Sequence, residues 1–179
     1  MNNLNYLLFP FLLMIMVSGC EANNSVKMKK IEKGDRIPVF KLKDQNGNWF
    51  NLDTVIGEKN LVIYFYPKDD TPGCTKQACS FRDQYEDFKD VNAEVIGISG
   101  QSVESHKNFA EKHNLSFTLL SDENNEIRKQ FGVPSDLFGL IPGRVTYVVN
   151  KQGKVVYIFD SQTKVNQHVN TALSILKDL

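Results

Sequence analysis

The residues with the most chemistry in this 179-residue chain stand in one short run, Pro67-Lys68-Asp69-Asp70-Thr71-Pro72-Gly73-Cys74, with Cys79 five positions further on. Thr71 followed by Pro72 is a good helix start, with Thr at the N-cap and Pro at the first helical position. Cys74 then occupies the third helical position, where a capping box would place a Glu to meet the free backbone N–H groups. A thiol in that slot sits at the positive end of the helix dipole, an environment that favours a negatively charged sulfur. The thiolate is the form of sulfur that attacks an O–O bond.

An inert role is open on the same residues. At about 100° per residue, Cys74, Ala78, Phe81, Tyr85 and Phe88 fall within about 40° of one line. Cys74 thus continues an apolar stripe, and a buried core cysteine is a common fate. The Thr-Pro-Gly turn ahead of it shifts the balance, because it opens backbone donors toward the sulfur. Cys74 and Cys79 are close enough to be read as a structural disulfide outside the cytoplasm, so compartment by itself does not decide their role.

The elements that must position these groups follow from periodicity. Residues 39–42 and 49–52 alternate around Asn46-Gly47, a hairpin turn signal. Residues 61–66 form a continuous apolar and aromatic run, the mark of a central strand buried on both faces. The cysteine-bearing run comes directly after it, where open α/β sheets place their ligand sites. Helices are predicted over 71–89, 102–113 and 125–131, and strands over 93–99 and 117–120. A late hairpin joins 145–149 to 155–159 through Lys151-Gln152-Gly153, and an amphipathic helix over 165–179 closes the chain. This order predicts an α/β, thioredoxin-like fold: a central mixed β-sheet flanked by helices, with an N-terminal β-hairpin.

Residues 6–17 are almost wholly apolar, too short a run to span a bilayer and of the size of a signal-peptide core. The run ends in Val17-Ser18-Gly19-Cys20, which resembles the lipobox of bacterial lipoproteins. That resemblance implies a signal peptide over 1–19, lipid attachment at Cys20, a polar tether over 20–30 and one domain over 31–179. The expected location is the cell envelope, extracytoplasmic and lipid-anchored to a membrane. Lys plus Arg and Asp plus Glu both number 21, so the chain lacks the positive excess of a nucleic-acid groove.

Pro67, Thr71 and Cys74 match the Pro-x-x-x-Thr-x-x-Cys pattern of peroxiredoxins. Phe65-Tyr66-Pro67, Thr71-Pro72-Gly73-Cys74-Thr75 and the later Gly143-Arg144-Val145-Thr146-Tyr147 resemble the bacterioferritin-comigratory-protein (PrxQ) branch of that family. The resemblance implies a thiol peroxidase that reduces hydrogen peroxide and organic hydroperoxides. Cys74 would be the peroxidatic cysteine, and Arg144 a distant arginine that closes the pocket. Pro67 would shield the sulfur, and the Thr71 hydroxyl would bond the peroxide or the thiolate. Cys79 would resolve the sulfenic acid, a thioredoxin-like reductant would recycle the enzyme, and no cofactor or metal is implied. Resolution within one chain makes a monomer sufficient. Residues i and i+5 of a helix have Cα atoms about 8.6 Å apart, beyond the roughly 7 Å that a disulfide spans without backbone movement. A Cys74–Cys79 link therefore requires residues 74–80 to unwind.

Other groups read as background. Asp69, Asp70 and Arg82 are expected as solvated charges, Trp49 as packing, and His106, His113 and His168 as scattered. Three rivals share the expected fold. A membrane-anchored thioredoxin-like thiol-disulfide oxidoreductase would carry Cys-x-x-Cys, whereas four residues separate these cysteines. A copper chaperone would add a histidine ligand to a close cysteine pair. A lipoprotein that only binds a partner would leave the sulfur unreactive.

Overall fold

The structure is a computed structural model that describes residues 30–136 and 139–179. The expected signal segment 1–19, Cys20 and all but the last residue of the 20–30 tether lie outside the described residues.

Strand β3 (Asn60–Phe65) is buried along its whole length and lies at the centre of the fold. It pairs parallel with β4 (Ala93–Ser99) and antiparallel with β8 (Val145–Val149). Apolar runs without polar alternation suit this position, since both faces are covered. β5 (Thr118–Ser121) adds parallel to β4, and β9 (Val155–Asp160) closes one edge as the second arm of the late hairpin. At the other side, β1 (Lys41–Asp44) pairs with β5 and with β2 (Trp49–Asn51), giving the order β2-β1-β5-β4-β3-β8-β9. The β1–β2 turn carries Gly47 at φ +83, a conformation that glycine adopts without steric cost. The mixed sheet with its N-terminal hairpin is a thioredoxin-like α/β fold, as expected. A small pair of two-residue strands, β6 (Ser135–Asp136) and β7 (Ile141–Pro142), was not expected, because two residues leave no period to read.

The period of two along β3 sorts its side chains into two cores. Val62 and Tyr64 join Cys74, Ala78, Phe81, Phe88, Phe109 and Val169 on one face. Leu61, Ile63 and Phe65 join Ile98, Phe131, Val145 and Tyr147 on the other. The first face is covered by α1 (Pro72–Asp83), α2 (Tyr85–Asp90), α3 (Val103–His113) and α5 (Val165–Lys177). The second is covered by α4 (Glu126–Gln130), a short 3-10 turn at Leu52–Thr54 and the N-terminal segment around Ile31, Ile37 and Phe40.

One helix expected over 71–89 is two. Gln84 leaves helical geometry at φ −109, ψ 12, and its side-chain amide donates back to the Ser80 carbonyl. The bend lets α1 lie against α5 while α2 turns against β4, where the Tyr85 hydroxyl donates to Glu94 (2.9 Å). Trp49, expected as packing, is 65% exposed on the edge strand with the Lys43 ammonium 5.6 Å from its ring. Strand alternation turns it outward, because Phe50 takes the inward position between Trp49 and Asn51.

Candidate active site

Cys74 lies in the first turn of α1, one residue after Gly73 and just beyond the C-terminal end of β3. Its side chain belongs to the core and is 2% exposed, so the stripe that made an inert core cysteine plausible is real. What distinguishes it from a structural thiol is its neighbour. Arg144, 70 positions later and immediately ahead of β8, donates from Nη2 to Cys74 Sγ at 3.3 Å. The guanidinium is 4% exposed, which rules out the surface ion pair that describes most arginines. Its other donors are also engaged: Nη1 with the Gln77 side-chain oxygen and Nε with the Gln162 carbonyl (3.2 Å).

Sheet register explains how two residues so far apart in sequence meet. The β3–β8 ladder pairs Leu61 with Val149 and ends at Phe65 with Val145. Arg144 therefore emerges at the same sheet edge as the loop that leads from Phe65 into α1. Gly73 permits the close approach, since a Cβ at that position would stand 3.2 Å from Arg144 Nη2. The amides of the first helical turn have no intrahelical carbonyl to bond, so they add donors and positive potential on the same side.

The other expected site residues lie on the loop before Cys74 and on α1 after it, with different degrees of engagement. Pro67 is half-buried at the start of the loop, and Thr71 is half-buried at its end. Thr71 takes the N-cap backbone conformation (φ −83, ψ 147), but its hydroxyl makes no capping bond. It donates instead to the Lys68 carbonyl at 3.0 Å. Cys79 is half-buried on α1, and both cysteines are free thiols. An intact helix holds their Cα atoms about 8.6 Å apart.

Two features escaped the sequence reading. Gln77 is fully buried about one turn after Cys74, beside the apolar stripe rather than on it, and its side-chain oxygen accepts from Arg144 Nη1. A polar residue flanking an apolar stripe is ordinary on an amphipathic helix, so nothing local marked its burial. Asp69, expected as a solvated charge, is 5% exposed. Its carboxylate accepts from the Tyr66 hydroxyl (2.8 Å) and the Ser105 hydroxyl (2.6 Å), and it faces His106 Nδ1 at 2.9 Å. Burial favours the neutral acid, but the bonds from His106, Ser105 and Tyr66 outweigh it and hold the Asp69 carboxyl below its ordinary range. Asp70 and Arg82 do remain toward solvent, although each is paired: Asp70 with Lys112 (2.8 Å) and Arg82 with Asp83 (2.7 Å). His168 is buried with its Nε2 donating to the Ser161 carbonyl (2.8 Å) and its Nδ1 accepting from the Thr146 hydroxyl (2.8 Å).

Known proteins share this arrangement of chain and fold. The family model described as the AhpC/TSA family matches residues 33–158. The chloroplastic peroxiredoxin Q of Triticum aestivum is 53% identical over 158 residues, covering 88% of this chain and 72% of that protein. The chloroplastic peroxiredoxin Q of Sedum lineare is 55% identical over 150 residues, covering 84% and 80%. Among solved structures, peroxidoxin BcpB from Mycobacterium tuberculosis superposes with a TM-score of 0.78 at 35% identity, over 83% of this chain and 98% of that one. The Xanthomonas campestris bacterioferritin comigratory protein, studied for its alkyl peroxide reduction, gives a TM-score of 0.72 at 30% identity, over 80% and 98%. These relatives overturn the expected location in the cell envelope, lipid-anchored to a membrane, because the curated ones are chloroplastic proteins. The expectation rested on the apolar run over 6–17 and on the resemblance of Val17-Ser18-Gly19-Cys20 to a lipobox, a four-residue pattern too short to fix a destination by itself. Among the described residues no helix is long and apolar enough to cross a membrane.

Proposed function

The chain belongs to the AhpC/TSA family, in its peroxiredoxin Q branch, and as the centre of its thiol peroxidase activity we propose Cys74, with Arg144 as its electrostatic partner. The observation that carries this reading is the Arg144 guanidinium donating to Cys74 Sγ at 3.3 Å at a helix start where both side chains are buried.

In the proposed cycle the Cys74 thiolate attacks the terminal oxygen of a hydroperoxide. An S–O bond forms, the O–O bond breaks, and the departing oxygen takes a proton to leave as water or an alcohol, with sulfur oxidised to a sulfenic acid. Arg144 stabilises the charge that develops on the departing oxygen, because its fork of donors is already fixed by Gln77 and Gln162. The Thr71 hydroxyl turns from the Lys68 carbonyl to bond the peroxide, and Pro67 keeps bulk water from the sulfur. Cys79 then condenses with the sulfenic acid, releasing water and forming a disulfide, after α1 unwinds at its start. Peroxiredoxins act on hydroperoxides and are recycled by thioredoxin-like reductants, and exchange with such a dithiol returns both thiols. One copy of the chain holds both cysteines, so a monomer completes the cycle. The substrates are hydrogen peroxide and organic hydroperoxides, in line with the alkyl peroxide reduction of the Xanthomonas relative.

The alternative, a thioredoxin-like thiol-disulfide oxidoreductase, is not favoured. Its two sulfurs would need to face one partner disulfide from adjacent turns, whereas Cys74 and Cys79 lie about 140° apart around α1. Stopped-flow mixing with hydrogen peroxide tests the reading. Fast single-turnover consumption by the wild type that is lost in Cys74→Ser supports it. Equally slow oxidation of both proteins would overturn it.

A further inference from the structure

Arg128 on α4 is a buried cation that the proposed cycle does not use, with 4% of its surface exposed. Its guanidinium is divided between two backbone carbonyls. Nη1 donates to the Gly143 carbonyl at 2.9 Å and Nη2 to the Tyr66 carbonyl at 2.8 Å. Tyr66 immediately precedes Pro67, and Gly143 immediately precedes Arg144. These are also the positions where the β3–β8 ladder has run out, since its last pair is Phe65 with Val145. Without Arg128, two buried carbonyls at the separating strand ends would lack these partners, which costs stability and leaves their spacing unset.

The guanidinium itself is held firmly. It lies 5.5 Å from the centre of the Phe65 ring, and the Arg128 backbone N–H donates to the Asp122 carboxylate at 2.9 Å. Burial pushes the group down to about 10, so it remains protonated at neutral pH. A planar fork bridges two acceptors in fixed geometry, which a lysine ammonium on a flexible stem cannot do.

We propose that Arg128 is a positioning residue for the peroxidatic site: its fork sets the distance between the Tyr66–Pro67 backbone and the Gly143–Arg144 backbone, and thereby where the Arg144 guanidinium meets Cys74. The inference rests on the reading of Cys74 and Arg144 as the reacting pair. It accounts for a buried charge that takes no part in the chemistry, because a shift of about 1 Å in a catalytic group costs about 100-fold in rate.

A double-mutant cycle tests it, with the second-order rate constant for Cys74 sulfenic acid formation read by rapid-quench mass spectrometry against hydrogen peroxide. Arg128→Met is expected to lower that constant by about 10- to 100-fold, with far-UV circular dichroism and a cooperative melt retained. Arg128→Lys, which can reach one carbonyl, should fall between it and the wild type, and it replaces Arg128→Met in the cycle if the latter fails to fold. Lys129→Met, at the exposed next position, should leave the rate unchanged. The decisive comparison is with Arg144→Met: adding the Arg128 substitution to it should slow the reaction by no more than about twofold. Independent losses that multiply would overturn the inference while leaving the Cys74–Arg144 reading intact. A normal rate in Arg144→Met would remove both.

Discussion

Asp69 Oδ2 and His106 Nδ1 lie 2.9 Å apart with both side chains buried, and they join the loop ahead of Cys74 to α3. The pair is completed by the Tyr66 and Ser105 hydroxyls on the carboxylate and by His106 Nε2 against the Leu120 carbonyl (3.2 Å). The loop that carries Pro67 and Thr71 is therefore anchored from within rather than solvated. Because the folded Asp69 carboxyl is held below its ordinary value of 3.8, its contribution to stability is present above pH 3.8 and is lost as pH falls through the lower folded value. Urea midpoints taken from about pH 6 down to about pH 3 should fall more steeply in the wild type than in Asp69→Asn. At neutral pH Asp69→Ala should cost about 1–3 kcal/mol, since it leaves buried donors unpaired. An unchanged midpoint in Asp69→Ala would mean the network does not anchor the loop.

His168 predicts a second, separate acid dependence. Burial drives it down to about 4, and the nearby Arg144 charge adds to that, while its bond to the Ser161 carbonyl works the other way. The folded protein thus keeps His168 neutral in a range where the unfolded chain takes up a proton. Its contribution is complete above the ordinary value of 6.5 and declines as pH falls from 6.5 toward 4. The full decline amounts to about 3 kcal/mol. His168→Gln should flatten the stability profile across that interval, and a profile identical to the wild type would count against the assignment.

Arg144 can be separated from a general requirement for positive charge. Arg144→Met should lower the rate of Cys74 oxidation by about 100- to 1,000-fold, the usual loss when a donor to a developing oxyanion is removed. Arg144→Lys should recover only part of this, because an ammonium cannot bond Gln77, Gln162 and the sulfur together. Stopped-flow rates for the three proteins decide the matter, and full activity in the lysine variant would show that charge without geometry suffices.

Cys79 makes a dynamic prediction. Cys79→Ser should form the Cys74 sulfenic acid at a normal rate but lose turnover with a dithiol reductant. In the wild type, peroxide should yield a Cys74–Cys79 disulfide, and amide exchange over residues 74–80 should accelerate, because α1 cannot close that bond while its helical turns are intact. Hydrogen-exchange mass spectrometry of the reduced and oxidised forms reads this directly. Equal protection in both would exclude resolution within the helix.

Much of this was legible from local pattern. The unbroken apolar run before Pro67 marked the central strand, the late hairpin showed in its turn residues, and the Thr71-Pro72 start put Cys74 in a first helical turn. Such signals lie within a few positions of one another, so propensity, capping and period read them without knowledge of the fold. Other features depended on which distant segments the sheet brought together. The β3–β8 register carries Arg144 to the sulfur, α3 turns Asp69 from a surface charge into a buried acceptor, and α4 sets Arg128 between the ends of two strands. Charge and hydrogen-bonding partner are properties of an environment assembled by long-range packing, which residue type and spacing along the chain do not encode.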